Sequence, residues 1–186
     1  MDELPTWPPE FKAWPKIPRL NREITVSEKI DGTNAAVCIS DDGTQIAAQS
    51  RTRWITPGDD NAGFAAWVEA NRDELLKLGP GHHYGEWWGQ SIGRKYGLTE
   101  KRFSLFNTHR WTESRPACCS VVPILYKGMF DQEIIKHVLA SLIINGSVAA
   151  PGFMKPEGIV VFHSAADQYF KILAEGDELP KGITTF

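Results

Sequence analysis

Cysteine is scarce in this sequence: three in 186 residues, at Cys38, Cys118 and Cys119. An odd number with two adjacent implies no disulfide framework, and there is no C-x-x-C pair to suggest zinc. Thiols in a reducing compartment are the simple reading, so a cytoplasmic protein is expected. Long apolar runs are also missing. None approaches the roughly 20 residues that span a bilayer, so no membrane partner is expected. The start, MDELPTWPPEFKAWP, lacks the basic residues and apolar stretch of a secretory signal. Finally, positive charge is not in excess. Lys and Arg number 20 against 23 Asp and Glu, a formal net charge of −3. A protein that grips nucleic acid by overall electrostatics is usually basic, so any such contact here has to be local. Candidate clusters are Arg51 with Arg53, Arg94 with Lys95, and Lys101 with Arg102.

What is present is enough apolar material for one core: 42% of residues are hydrophobic. A single domain over 1–186 is expected, with residues 1–20 as a Pro- and Trp-rich lead-in that packs against something. Alternation at Ile24 and Val26, then 35–39, predicts strands. Asp41-Asp42-Gly43 predicts a hairpin turn into 45–49. From 61 to 77 the period becomes helical, with Phe64, Trp67, Val68, Leu75 and Leu76 on one face, and Gly79-Pro80-Gly81 stops it. Short strands are expected at 82–87, 102–107 and 121–125. A second helix starts at the cap residue Asp131, shows Ile134, Ile135, Val138, Leu139, Leu142 and Ile143 on its apolar face, and ends at Asn145-Gly146. Two last strands follow at 158–163 and 168–173. Many strands with two helices and no regular βαβ alternation predict an α+β fold of mostly antiparallel sheet.

The sharpest chemistry lies in Ser27-Glu28-Lys29-Ile30-Asp31-Gly32-Thr33-Asn34. A lysine ends a strand and is followed by an acid and a turn glycine. Such a lysine can attack phosphorus once its amine is neutral, a state favoured by burial or neighbouring positive charge. An ordinary Asp-Gly turn after a charged strand end would look the same, so the segment alone leaves both readings open.

The wider series resembles the covalent nucleotidyltransferase superfamily of DNA ligases, RNA ligases and capping enzymes. Glu28 to Asn34 resembles motif I, closest to the RNA ligases of the phage type-2 and mRNA-editing group. Ser50-Arg51-Thr52-Arg53 resembles motif Ia, Tyr84-Gly85-Glu86 motif III and 103–107 motif IIIa. Pro156-Glu157-Gly158-Ile159-Val160-Val161 resembles motif IV, and Tyr169-Phe170-Lys171-Ile172-Leu173 motif V. Each later motif is short, but all stand in the family's order across 28–173. The resemblance implies an ATP-grasp-like nucleotidyltransferase domain of the DNA/RNA ligase type. It also implies roles. Lys29 would carry AMP, Glu28 would help recognise adenine, and Asn34 would belong to the nucleotide site. Arg51 would contact the nucleotide or a 5′-phosphate, and Glu86 would hold the ribose hydroxyls. Phe106 would stack on adenine, Glu157 would help place Mg²⁺ or Mn²⁺, and Lys171 would neutralise the α-phosphate. Arg53, Arg94 and Lys95 are the candidate nucleic-acid contacts.

Two departures from the pattern stand out. Motif V usually has two lysines one residue apart, and here Leu173 or Tyr169 takes the partner position. After motif V only 174–186 remain, so the chain looks like a bare catalytic domain without the OB or helical domain of such ligases, and an accessory protein replacing that domain is an expectation. The expected function is ATP-dependent joining of RNA 5′-phosphate and 3′-OH ends through lysyl-AMP. The alternatives are a minimal DNA ligase, or a nucleotide- or nick-binding module without turnover. Trp87-Trp88 are expected to pack in the core or at its rim, the histidines to be structural, and 90–97 to be either a substrate loop or a long connection.

Overall fold

The computed structural model describes residue 8 and residues 10–111 and 114–177. Two sheets organise these residues. A four-stranded sheet has the order β10-β9-β1-β8, from β1 (Glu23–Lys29), β8 (Ile124–Met129), β9 (Gly158–His163) and β10 (Gln168–Leu173). All its neighbours are antiparallel. A six-stranded sheet has the order β4-β3-β2-β5-β6-β7, from β2 (Thr33–Ile39), β3 (Ile46–Ser50), β4 (Trp54–Ile55), β5 (Gly81–Gly89), β6 (Lys101–Leu105) and β7 (Cys119–Val121). Only β6 and β7 pair in parallel. The α+β class and the antiparallel sheets expected from the sequence are therefore found.

Each sheet buries one face. In the six-stranded sheet, period-two alternation sends Ala35, Val37, Ile39, Ala48, Ile55, Phe103 and Leu105 to one side. There they meet helix α1 (Phe64–Ala70), helix α2 (Arg72–Leu75) and a 3₁₀ turn over Leu76–Leu78. An aromatic group fills this core, with Phe64 within 5.0 Å of Phe103 and Trp67 within 5.1 Å of Trp87, centroid to centroid. In the four-stranded sheet, Ile24, Val26, Ile159, Val161 and Ile172 turn to α3 (Gln132–Asn145), which offers Ile135 and Leu142. Asp131 caps α3 by accepting from the Glu133 and Ile134 amides, as expected.

Four local expectations differ. The helix over 61–77 is broken at Asn71 into two short helices and a 3₁₀ turn. Its start is held by Asp60, whose carboxylate accepts from the Asn61, Ala65 and Ala66 amides. The single strand over 121–125 is two strands in different sheets, because Pro123 lies between β7 and β8. On α3, Ile143 is 43% exposed, so the apolar face is narrower than the pattern suggested. Among the described residues of the lead-in, Phe11, Trp14 and Ile17 stand in solvent instead of packing. Among the described residues no helix is long and apolar enough to cross a membrane.

Candidate active site

The chain passes from one sheet to the other through three residues, Ile30, Asp31 and Gly32, between Lys29 at the end of β1 and Thr33 at the start of β2. A glycine is needed there. A Cβ on Gly32 would lie 2.5 Å from the Trp87 carbonyl oxygen and 2.7 Å from Trp88 Cβ, so the turn could not press against β5. Asp31 is held from the other side. Its amide donates to the Tyr96 hydroxyl (2.8 Å), and its carboxylate accepts from the Arg94 amide (3.0 Å), with the Arg94 side chain 3.6 Å away. Arg94 also donates to the Lys155 carbonyl, two residues before Glu157. The loop 90–97 is thus a clamp on the inter-sheet turn. Lys95, beside it, is exposed.

Alternation along β1 separates two adjacent charges. Glu28 points to the α3 side and is almost fully buried. Its carboxylate accepts from Ser147 Oγ (2.5 Å) and from the Val148 and Ala149 amides (2.8 and 2.9 Å). Both oxygens are therefore engaged by the loop after α3. Lys29 points the other way, and its ammonium lies 2.6 Å from Glu157 Oε2. That contact is an ion pair without hydrogen-bond geometry: Glu157 Oε2 is buried and has no hydrogen bond among the described residues. Lys29, Gly158 and Leu173 are in register across β1, β9 and β10, and so are Ser27, Val160 and Lys171. Lys171 therefore shares the Lys29 face, one step along the sheet, and is exposed. Leu173, the motif V partner position, stands on the Lys29 row itself.

The six-stranded sheet supplies the opposite wall. Asn34, Glu86 and Ser104 are in register on the face turned away from the aromatic core. Asn34 Nδ2 donates to Glu86 Oε2 at 3.0 Å. Burial pushes the Glu86 carboxyl up to about 7, opposed by Lys29 and reinforced by Glu157, with the Gly32 amide and Asn34 favouring the ionised form. Glu86 also sits at the inter-sheet turn: its Cγ is 3.0 Å from where a Cβ on Gly32 would lie, and Gly32 stands three residues after Lys29, the partner of Glu157. The Phe106 amide donates to the Tyr84 carbonyl, so half-buried Phe106 continues the Tyr84 row beside Glu86. A cavity of about 440 Å³ lies further along this face, lined by Trp88, Ser104, Ser120, Val148 and Ala149 among others, but not by Lys29 or Glu157.

The two arginines of 50–53 do not lie in a strand. They occupy the bend between β3 and β4. Arg53 is tied to Asp59 at 2.6 Å and to nearby carbonyls, whereas Arg51 is exposed. Trp87 and Trp88 are buried, and the Trp88 indole donates to Ser104 Oγ at 2.9 Å. His83 and His163 are satisfied by the Gly79 and Leu20 carbonyls. Sequence reasoning missed Ser147 and Tyr96. Tyr96 lies inside the 90–97 loop already singled out in the sequence, whereas nothing local marks Ser147.

No group of three or more His, Cys, Asp or Glu side chains suited to a metal occurs among the described residues. The site still fits Mg²⁺ or Mn²⁺ in one way. Glu157 offers a buried carboxylate oxygen without a hydrogen bond, and Mg²⁺ commonly takes one or two carboxylates with water and substrate phosphates as its other ligands.

Comparisons with known proteins bear on the family and the fold. The family model described as RNA ligase matches residues 22–173. Among solved structures, a Naegleria gruberi RNA ligase variant with ATP and Mn superposes with a TM-score of 0.62 at 20% identity, covering 84% of this chain and 51% of that one. Another variant of the same ligase, with AMP and Mn, gives 0.60 at 19%, covering 83% and 50%. The present chain thus spans about half the length of these proteins. No match was found among curated protein sequences. A fold shared at this identity and a family match running from β1 through β10 converge, and the chain belongs to the RNA ligase family.

Proposed function

We propose that this domain is an ATP-dependent nucleotidyltransferase that stores AMP on Lys29 and passes it to the 5′-phosphate of an RNA end, for sealing to a 3′-OH. One observation carries the reading: Lys29, Glu157 and Glu86 converge from two sheets joined by a three-residue turn. The amine attacks the α-phosphorus of ATP, forming a P–N bond as the bond to pyrophosphate breaks. An ammonium has no lone pair, so Lys29 must first give up its proton and leave the Glu157 ion pair before it attacks. Glu86 and Asn34 hold the ribose hydroxyls from the facing sheet. Phe106 offers a flat apolar surface to the purine. Lys171, on the Lys29 face, neutralises the α-phosphate, and positioning with charge neutralisation is most of what phosphorus chemistry requires. A divalent metal bound at Glu157 would add charge neutralisation at the phosphates.

For two residues the hydrogen bonds support roles other than adenine recognition by Glu28 and nucleic-acid contact by Arg94. Glu28, with both oxygens occupied, acts by fixing the 147–149 loop. Arg94 acts by holding Asp31. Leu173 on the Lys29 row leaves Lys171 as the lysine of motif V, so AMP transfer is expected to be slower than in a ligase with both. The test is incubation with α-³²P-ATP and Mg²⁺, then a denaturing gel. A labelled band supports the reading, and its absence with intact folded protein rejects it. Sealing of matched nicks and single strands in RNA and DNA then separates an RNA ligase from a minimal DNA ligase.

A further inference from the structure

The open face of the six-stranded sheet carries rings that the nucleotide site does not use. Trp54, Gln49, Ala36 and Tyr84 form one register row across β4, β3, β2 and β5, and the Phe106 amide bonds to Tyr84 at its end. The next row holds Ala47, Cys38 and His82. The residues between the rings are thus mostly small. Over them the rings meet: Trp54 and His82 have centroids 6.3 Å apart, and His82 stacks on Tyr84 at 5.9 Å with planes 16° apart. Trp54 is 60% exposed and Tyr84 55%.

Exposing a tryptophan, a histidine and a tyrosine side by side costs apolar solvation that burial elsewhere would recover. The rings share their face with Asn34 and Glu86 and lie along the row that leads to Phe106. The exposed Arg51 and the Asp59-paired Arg53 stand in the bend just before Trp54. Flat rings that stack on any base, next to cations that meet the backbone, form the chemistry of an unpaired nucleic-acid strand.

We propose that Trp54, His82 and Tyr84 form a stacking shelf for unpaired bases of the RNA strand whose end is processed at Lys29. This rests on the RNA-joining reading and adds a specific subsite to it. Stacking is neutral, whereas phosphate contacts release counterions, so the shelf should change affinity without changing its salt dependence.

The test is anisotropy of a fluorescein-labelled single-stranded RNA dodecamer bound to the full chain, across a salt series. Trp54→Ala is expected to weaken binding roughly five- to hundredfold with the slope of log affinity against log salt unchanged. Trp54→Phe should restore most of it, and Tyr84→Ala should weaken it similarly. Because an alanine variant could misfold, 4-thiouridine RNA photocrosslinked to wild-type protein gives a second readout, with adducts expected in the peptides containing Trp54 or Tyr84. Wild-type affinity in Trp54→Ala and Tyr84→Ala, or crosslinks confined to other peptides, would overturn the proposal. So would a change in oligomeric state on Trp54→Ala with RNA binding intact, which would make the shelf a protein interface. Failure of the underlying reading is separate: it shows as wild-type protein that forms no labelled adduct with ATP.

Discussion

The two sheets face each other across the site but are built and used differently. The six-stranded sheet backs its site wall with tightly packed rings, Phe64, Trp67, Trp87 and Phe103. The four-stranded sheet rests on aliphatic residues against one helix. The first presents Glu86 and Asn34, already hydrogen-bonded to each other. The second presents Lys29 and Glu157, an ion pair that has to separate or exchange a proton before chemistry starts. On the proposed function, a rigid wall that would hold the nucleotide thus meets a wall that would react with it. Aromatic packing suits the first task, because interiors at crystal-like density resist displacement.

The largest expected effect breaks the reactive wall. Lys29→Ala and Lys29→Arg should both reduce the AMP adduct below detection on a denaturing gel while circular dichroism stays native. Arginine is the sharper variant, since it keeps the charge but cannot become a neutral amine. An undiminished adduct in either would return Lys29 to an ordinary strand end. Next, Glu157→Ala should cut adduct yield by about a hundredfold, and EDTA should abolish it, through loss of charge neutralisation at the phosphates. Retained yield in Glu157→Ala would remove it from the site. Glu178, a natural distal control, lies outside the described residues, so exposed Glu175→Ala serves instead.

The join between the walls is tested by Gly32→Ala. With a backbone oxygen 2.5 Å from the new methyl, either the turn or β5 must move. A loss of about 1–3 kcal/mol in stability is expected by urea unfolding, together with weaker adduct formation. Unchanged stability would mean that the turn is not pressed against β5.

The binding wall is sharpened by pH. The Glu86 carboxyl rises from 4.5 to about 7 on folding. Between these values the folded chain keeps a proton that the unfolded chain releases. The resulting stabilisation is full below 4.5 and is lost as pH rises through about 7. Glu86→Gln has no such proton, so without nucleotide its stability relative to wild type should climb between about pH 5 and pH 8, by up to about 3 kcal/mol. A pH-independent difference would contradict the burial of Glu86 at the inter-sheet turn. The smallest effect concerns the rim. Arg53 is engaged by Asp59, so Arg53→Ala should lower the salt slope for nicked duplex by less than about 0.9, the value of one full phosphate contact. A larger drop would show that the Asp59 pair opens to grip the strand.

Much of this was legible along the chain. Alternation at Ile24 and Val26 marked β1, and short apolar runs marked β2 and β9. Asp131 and Gly146 bounded α3 because helix ends need partners for orphan amides and a residue that tolerates the exit geometry. The helix over 61–77 was read too long, since its break at Asn71 follows from how the pieces seat on the sheet and not from any local breaker. The strand over 121–125 was read as one although Pro123 was visible, because nothing local says that the two halves enter different sheets.

By itself the sequence determined the order of the motifs, the identity of the lysine in Lys-x-Asp-Gly and the alternation that sends Glu28 and Lys29 to opposite faces. Only the tertiary structure decided what those faces meet. Glu28 is consumed by Ser147 and two amides more than a hundred residues away. Arg94 holds Asp31 through its amide and the Lys155 carbonyl through its side chain, and Leu173 takes the Lys29 row across Gly158. Alternation is set by neighbours one bond away, so it can be read from the chain. A carboxylate's partners are set by whichever distant donors the packed sheets bring within hydrogen-bond reach, and no local pattern encodes them.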